Sequence, residues 1–188
     1  NLALARRSVV AIIVSQLLQG LDTVALTRLL ERVVQVHGAD VDHPMGRGPT
    51  PLEHAVDWRD RYVVDLLLRL KADPSRGSPL VTAILKLMSA PAGDGTNERY
   101  IFERLLEEGA DVDQARADGE TALIAAVRRG RPDLVRLLLE RGADPRKAGG
   151  RGDAFQNVDS LMSWNLEAYR QICRLLDLDG DDGDGAEE

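Results

Sequence analysis

The three histidines of the chain are the first residues whose type could support catalysis or metal binding, because imidazole serves both as a base and as a ligand. They are His37, His43 and His54, and they stand close together in the sequence. The hydrophobic pattern around them places His37 at the end of a helix, His43 in a loop and His54 on the next helix. Three separate elements would have to converge on one ion, so we favour three independent histidines and expect no metal site.

The single cysteine, Cys173, excludes an internal disulfide and a zinc site built from paired thiolates. It stands in an apolar helical stretch beside Ile172 and Leu176, so a small buried hydrophobic residue is the favoured interpretation. The sequence contains no Gly-x-Ser-x-Gly elbow, no phosphate-binding loop ending in Gly-Lys-Thr and no His-Glu-x-x-His. We therefore expect no catalytic residue, no cofactor and no enzymatic activity.

Two charged segments resemble ligand-binding loops without completing the pattern. Residues 149–153 read Gly-Gly-Arg-Gly-Asp, but they follow a predicted helix rather than a strand, so a finger loop is favoured over dinucleotide binding. Four carboxylates near the end of the chain fall at calcium-loop positions: Asp177, Asp179, Asp181 and Glu188. Asp182 stands where that loop requires glycine, so we favour a solvated acidic tail over residues 178–188.

The composition narrows the classes of partner. The chain has 188 residues and a net charge of −7, and only 4% of its residues are aromatic. A nucleic-acid backbone is disfavoured as the main partner because phosphate binding needs a concentrated positive field. No apolar run approaches the roughly 20 residues that span a bilayer, so no membrane partner is expected.

The beginning of the chain resembles a signal peptide, because Arg6 and Arg7 precede the apolar run 9–14. Ser15 and Gln16 interrupt that run, so a first helix is favoured. The localisation stays open between the cytoplasm and, if an upstream signal has been removed, a secreted or periplasmic site. Arginine greatly outnumbers lysine, which favours a bacterial origin.

Self-similarity organises most of the sequence. Gly-Ala-Asp or a close variant recurs four times, at residues 38–40, 71–73, 109–111 and 142–144. The interval is 33 residues from Ala39 to Ala72 and again from Ala110 to Ala143. Leucines at three- and four-residue spacing precede three of these markers and predict helices with one buried face, over residues 63–70, 101–106 and 134–139.

A second marker runs in phase with the first and predicts where another set of helices begins. It reads Thr-Pro-Leu at 50–52, Ser-Pro-Leu at 78–80 and Thr-Ala-Leu at 121–123. Threonine or serine can accept a hydrogen bond from the first turn of a helix, and proline at the first helical position loses no useful donor. The chain is therefore predicted to alternate between two kinds of helix.

The period of 33, the Thr-Pro-Leu helix start, the leucine-rich helix and the Gly-Ala-Asp turn together resemble the ankyrin repeat. Residues 120–145 match that pattern almost throughout, and the resemblance extends over about residues 5–177. It implies an all-α solenoid of helix-turn-helix pairs with short finger loops. We predict an N-terminal cap, three repeats, a C-terminal cap and an acidic tail, with these boundaries: 1–40, 41–73, 74–111, 112–144, 145–177 and 178–188.

Both caps are predicted to be irregular. The N-terminal cap is expected to have an overlong second helix, and the C-terminal cap an inner helix over 158–164 and an outer helix over 166–176. Wherever these helices lie, Cys173 is separated from the histidines by several repeats, so a Cys–His catalytic pair is excluded.

The sequence departs from the family pattern in three places. The interval from Pro51 to Pro79 is 28 residues, which predicts a shortened finger, and that from Pro79 to Ala122 is 43, which predicts an insertion. The composition of residues 89–98 predicts a loop, and its polar groups are Asp94, Thr96, Asn97 and Glu98. They include no nucleophile–base pair, so an enzyme using this loop is disfavoured. The histidine that the family usually has after Thr-Pro-Leu is replaced by Glu53, Val81 and Ile124, so we expect no inter-repeat histidine network.

The resemblance implies that a partner protein binds the concave surface formed by inner helices and fingers. The candidate residues follow from the repeat register: Arg47, Asp57, Trp58, Lys86, Asp118, Glu120, Arg128, Arg129 and Trp164. Among them Arg47, Asp118 and Glu120 are expected to form the rim, and Trp58 and Trp164 to be interface anchors. The alternative is that Trp164 packs inside the C-terminal cap and Trp58 covers a neighbouring helix.

The leading hypothesis is a monomeric, non-enzymatic module that binds another protein. Within this hypothesis, the chain could act as an adaptor or as an inhibitor or immunity-type antagonist of a bacterial toxin. Besides the binding module and the disfavoured enzyme, a third hypothesis is a rigid spacer without a specific partner. That hypothesis predicts no exposed clusters of aromatic residues.

Overall fold

The computed structural model describes residues 2–44, 48–89, 95–147 and 152–176. Within these ranges the chain forms ten α-helices and one short 3₁₀ helix, and it forms no β-strand. The all-α architecture predicted from the sequence is therefore confirmed. None of the helices in these ranges has both the length and the apolar character that crossing a membrane requires.

The helices belong to two compact units, Asn1–Gln114 and Ala115–Glu188. The described part of the first unit contains α1 (Leu2–Leu18), α2 (Thr23–Gln35), α3 (Pro51–Asp57), α4 (Arg61–Arg69), α5 (Pro79–Ser89) and α6 (Thr96–Glu107). The described part of the second unit contains α7 (Ala122–Arg128), α8 (Pro132–Glu140), α9 (Ala154–Val158) and α10 (Leu166–Leu175), and the 3₁₀ helix Asp159–Leu161 continues α9.

Successive helices form pairs, and the pairs stack in two layers inside each unit. In the first unit α3 packs against α1 and α5, and α4 packs against α6; in the second unit α7 packs against α9, and α8 against α10. We call the first helix of each pair the inner helix and the second the outer helix. The leucines of the outer helices fill the space between the layers, and Leu66, Leu67 and Leu68 of α4 are at most 2% exposed. This burial is the physical basis of the leucine spacing in the sequence.

The predicted starts of the inner helices are confirmed at α3 and α7. Thr50 Oγ1 accepts a hydrogen bond from the Glu53 amide at 3.1 Å, and Thr121 Oγ1 accepts one from the Ile124 amide at 3.2 Å. Pro51 occupies the first helical position, where no amide donor is lost. At α5 the Ser78 hydroxyl instead donates to Glu53 Oε1 at 3.1 Å. Glu53, which stands where the family usually has histidine, therefore forms its own bond to the next repeat.

The four Gly-Ala-Asp markers share one turn, in which the aspartate side chain accepts a hydrogen bond from the amide two residues ahead. The bonded pairs are Asp40 with Asp42, Asp73 with Ser75, Asp111 with Asp113 and Asp144 with Arg146, at 2.8 to 3.0 Å. Short carboxylate side chains favour such turns because they replace a backbone acceptor. The aspartate of the repeat thus fixes the direction in which each finger leaves its outer helix.

Lys71 is the one member of these markers that stands where the other copies have glycine, and its φ of 68° is in the left-handed region. That conformation costs a residue with a Cβ about 1 kcal/mol. We expect Lys71→Gly to raise the free energy of unfolding by roughly 0.5–1 kcal/mol, measured by urea denaturation. The matched control is Gly109→Lys in the same unit, where φ is 90° and no atom lies within 4 Å of an added Cβ. It should lower stability by a similar amount, and a change of the same sign in both variants would contradict the argument.

Two predictions about the caps are corrected. The extra length of the first pair lies in its inner helix, because α1 has 17 residues and α2 has 13. In the last pair the inner helix begins at Ala154 rather than at residue 158, because Asp153 Oδ1 accepts the Gln156 amide at 2.9 Å and caps the helix there. The outer helix, Leu166–Leu175, lies where it was predicted.

The segment 89–98 is only partly the loop that its composition predicted. Ser89 is the last residue of α5, and α6 begins at Thr96, so Thr96, Asn97 and Glu98 are helical. Residues 90–94, which include Asp94, lie outside the described residues. Glu98 is 5% exposed and its carboxylate lies 3.1 Å from Arg59 Nη1, in the turn between α3 and α4. This ion pair, which the local sequence does not reveal, offsets the desolvation of the glutamate.

Candidate partner-binding surface

The predicted partner-binding residues occupy the carboxyl ends of inner helices and the finger loops beside them. Asp57 ends α3 and Trp58 caps it, while Lys86 lies in the last turn of α5. In the second unit Arg128 ends α7 and Arg129 caps it. The remaining members are Asp118 and Glu120, in a finger, and Trp164, which follows the 3₁₀ helix. Arg47 lies outside the described residues.

Trp58 is 53% exposed although it is one of the largest apolar side chains of the chain. Its indole Nε1 donates a hydrogen bond to His54 Nε2 at 3.1 Å, one turn earlier on α3. The two rings meet edge to face, with centroids 6.2 Å apart and planes at 87°. This contact fixes the direction of the indole, and it occupies a nitrogen of one of the histidines considered as metal ligands. The indole is thus both exposed and ordered, which lowers the entropic cost of binding it.

The predicted residues Asp57 and Lys86 form an ion pair with each other, at 2.7 Å between Oδ1 and Nζ. The pair joins α3 to α5, and its side chains are 54% and 29% exposed. An exposed pair of this kind contributes well under 1 kcal/mol to stability because water screens it. Its effect is to leave the surface beside Trp58 close to neutral.

Glu120, which was expected on the finger rim, is only 7% exposed. Its Oε1 accepts a hydrogen bond from Arg128 Nη1 at 2.9 Å. Its backbone closes the finger, since its carbonyl accepts from the Arg116 amide at 3.0 Å and its amide donates to Asp118 Oδ1 at 3.2 Å. Glu120 therefore orients Arg128, whereas Asp118 is exposed, as are residues 115–117 of the same finger.

Trp164 is 58% exposed, and the edge of its ring lies against the turn between α7 and α8. A Cβ added at Gly130 would lie 3.3 Å from Trp164 Cη2 and 3.2 Å from Ala168 Cβ. Gly130 directly follows Arg129, an exposed residue that caps α7. Among the described residues no carboxylate forms an ion pair with Arg129.

Two further exposed apolar residues adjoin Trp164 in the sequence, and the sequence analysis missed both. Met162 is 57% exposed and Leu166 is 47% exposed. Apolar residues at the end of a helix are ordinarily predicted to be core. Their exposure follows from the 3₁₀ helix and the turn after it, which the repeat pattern does not predict.

The described residues contain no group of three His, Cys, Asp or Glu side chains that could hold a metal ion. Cys173 is 4% exposed, in agreement with its interpretation as a buried small residue. The glycine-rich residues 149–151 and the tail from 177 onward lie outside the described part of the chain.

Stacked pairs of helices with Thr-capped inner helices and Asp-initiated fingers define an all-α repeat protein. Residues 87–151 match the family model described as ankyrin repeats (3 copies). Residues 87–151 therefore carry ankyrin repeats, in agreement with the resemblance found in the sequence. Ankyrin repeats are generally protein–protein interaction modules and are typically non-enzymatic.

Three relatives are similar to this chain over more than half of its length. The chain is 34% identical over 112 residues to ankyrin repeat and SAM domain-containing protein 6 of Danio rerio, which covers 57% of this chain and 14% of that protein. It is 27% identical over 124 residues to an ankyrin repeat protein of Rickettsia bellii, and the match covers 65% of this chain and 35% of that protein. It is 28% identical over 147 residues to transient receptor potential cation channel subfamily A member 1 of Homo sapiens, and the match covers 78% of this chain and 13% of that protein. The chain thus spans about a third or less of the length of these relatives.

Proposed function

We propose that this chain is a monomeric, non-enzymatic module that binds a partner protein through the carboxyl ends of its inner helices and the adjacent fingers. One observation carries the proposal: both tryptophans of an aromatic-poor chain are more than half exposed, at 53% and 58%. Exposing an indole forgoes about 1.5–3 kcal/mol of burial energy, so two such positions favour a binding role. Tryptophan is also among the residues most enriched in binding hot spots.

The charges beside the tryptophans favour a particular kind of partner surface. Trp58 adjoins the Asp57–Lys86 ion pair, which is internally neutralised, so apolar burial should dominate there. The edge of the Trp164 ring lies against Gly130, and the preceding residue, Arg129, has no acidic partner among the described residues. The partner is therefore expected to place an apolar group on each indole and a carboxylate near Arg129.

The first step of the test is to identify the partner by affinity capture from the source organism followed by mass spectrometry. The affinity of the purified partner is then measured for the wild-type chain and for Trp58→Ala and Arg129→Ala. We expect each variant to bind at least about 10-fold more weakly, since hot-spot truncations cost more than 1 kcal/mol and up to several. The melting temperature should change by less than about 3 °C, because both side chains are largely exposed.

A matched control is Arg136→Ala, which removes an exposed arginine from outer helix α8. It should leave the affinity unchanged. Intact binding by Trp58→Ala and Arg129→Ala, combined with lost stability, would refute the proposal. If the captured partner is a toxin whose activity the chain blocks at equimolar ratio, the antagonist form of the hypothesis is supported; a non-toxic partner supports an adaptor.

A further inference from the structure

Outer helix α2 carries a row of apolar side chains that are only partly buried. They recur at intervals of three, four and three residues, and we call them the α2 stripe: Leu26, Leu29, Val33 and Val36. This spacing places all four along one side of the helix. Leu29 is 47% exposed and Val36 is 69% exposed, while the other two are half-buried. The core-facing side of α2 is a different one, since it carries Leu30 at 0% exposure.

The repeat itself does not require apolar residues at the exposed positions of the stripe. The residues in register with Leu29 and Val36 are Tyr62 and Arg69 on α4, Tyr100 and Glu107 on α6, and Asp133 and Glu140 on α8. Each of these side chains carries a hydroxyl group or a charge, as expected for the outer surface of a solenoid in water. Only α2 among these four outer helices has aliphatic residues at both positions, which favours a binding role.

The position of Leu29 faces the preceding pair of helices wherever a pair precedes in the described structure. Its counterpart on α4 is Tyr62, whose hydroxyl lies 3.2 Å from that of Thr27 on α2. Its counterpart on α6 is Tyr100, which donates a hydrogen bond to Asp65 on α4 at 2.8 Å. Thr27 stands two residues before Leu29, and two residues lie on nearly opposite sides of a helix. One side of α2 thus meets α4, and the stripe continues the stacking surface on the other side.

The charges beside the stripe balance, so apolar contact must hold an occupant there. The charged residues of α2 and its N-terminal cap are two acidic and two basic ones: Asp22, Arg28, Glu31 and Arg32. The neighbouring helix α1 has no charged residue between Ser8 and Leu18, and its Ile12 is exposed. The surface therefore selects neither an acidic nor a basic partner.

We propose that the α2 stripe binds an amphipathic α-helix of a partner protein, packed as the outer helix of one more pair would be. Alternating intervals of three and four residues are those at which side chains of one helix pack between those of another. An extended segment presents its side chains every two residues and does not match that spacing. The stripe spans ten residue steps, or about 15 Å, so a helix of about two heptads covers it. This proposal is independent of the inner-helix surface.

The test uses the full chain and a fluorescently labelled, amidated peptide, Glu-Leu-Ala-Lys-Leu-Ala-Glu-Lys-Leu-Ala-Glu-Leu-Ala-Lys. When helical, this peptide has its leucines on one side at the intervals of the stripe, and it carries no net charge. We expect a saturable rise in fluorescence anisotropy at submillimolar chain concentration, with little dependence on salt. A peptide of the same composition with its leucines distributed around the helix should bind at least about fivefold more weakly.

Substitutions in the chain separate the stripe from other exposed apolar residues. Leu29→Gln and Val36→Gln should each weaken peptide binding at least about fivefold, because each removes an apolar contact. The matched control is Val24→Gln on the same helix, where Val24 is 61% exposed but is rotated by about 140° from Leu29. It should leave the affinity unchanged, and so should Trp58→Ala on the inner-helix surface. All four residues are exposed, and an unchanged circular dichroism spectrum will verify that each variant is folded.

Absence of saturable binding, equal binding of the two peptides, or equal losses in Leu29→Gln and Val24→Gln would overturn the proposal. Binding that is lost in Trp58→Ala and kept in Leu29→Gln would assign the peptide to the inner-helix surface and would also overturn it. Sedimentation equilibrium of the chain alone tests for a second copy on the stripe. A dimer that Leu29→Gln dissociates would make that copy the occupant and would overturn the assignment to a partner helix.

Discussion

Replacing Phe102 with alanine is expected to lower the free energy of unfolding by about 4 kcal/mol, because it leaves a large cavity in a close-packed core. Phe102 lies on α6 and is 0% exposed, between Ile101 at 1% and Leu105 at 0%. Its aromatic ring is one of few in a core built mainly from aliphatic residues. Since α6 also carries Tyr100 and Arg104, the substitution should disturb their contacts with Asp65 of α4 in addition to stability.

The chain provides its own control for this prediction, since Phe155 is the only other phenylalanine. It is half-buried on α9, and Arg146 lies 5.4 Å from its ring centroid. Phe155→Ala should cost roughly 1–1.5 kcal/mol, because less area is buried and no closed cavity forms. Urea denaturation followed by circular dichroism measures both variants. A loss below about 2 kcal/mol in Phe102→Ala, or an equal loss in both, would contradict the assigned core.

Replacing Gly130 with alanine is expected to cost about 2–3 kcal/mol and to displace Trp164. The φ of Gly130 is 59°, which a residue with a Cβ adopts at a cost of about 1 kcal/mol. The added Cβ would also lie 3.1 Å from Asn165 Nδ2, 3.2 Å from Ala168 Cβ and 3.3 Å from Trp164 Cη2. Relief of these contacts requires movement of the turn that presents the indole, so overpacking adds a further 1–2 kcal/mol.

Gly142→Ala separates the two contributions in the same unit. Gly142 has a φ of 85° with no atom within 4 Å of an added Cβ. Its substitution should therefore cost only the about 1 kcal/mol of placing a residue with a Cβ in the left-handed conformation. The measurement combines urea denaturation with tryptophan fluorescence in a Trp58→Phe background, where Trp164 is the only indole. The emission maximum should shift in Gly130→Ala and stay constant in Gly142→Ala. A constant maximum in both variants would show that the glycine does not set the position of the indole.

The sequence determined the features that depend on nearby residues. The Thr50 and Thr121 caps, the leucine face of α4 and the aspartate turns all arise from contacts within a few positions, so the types and spacing of residues predict them. The repeat period then predicted the all-α stack, because each pair of helices buries its apolar face only against the next pair. The tryptophan positions also followed from the repeat register, although their role in binding stays a prediction.

Only the tertiary structure decided which polar groups are buried and which pairs meet between repeats. Glu120 and Glu98 looked like exposed loop residues, yet each is buried against an arginine. Tyr100 meets Asp65 across 35 positions of the sequence, from one outer helix to the next. Such contacts depend on how whole helices stack after a shortened finger and an insertion. Local periodicity carries no information about how those helices stack, so these buried ion pairs and inter-repeat contacts could be found only in the folded chain.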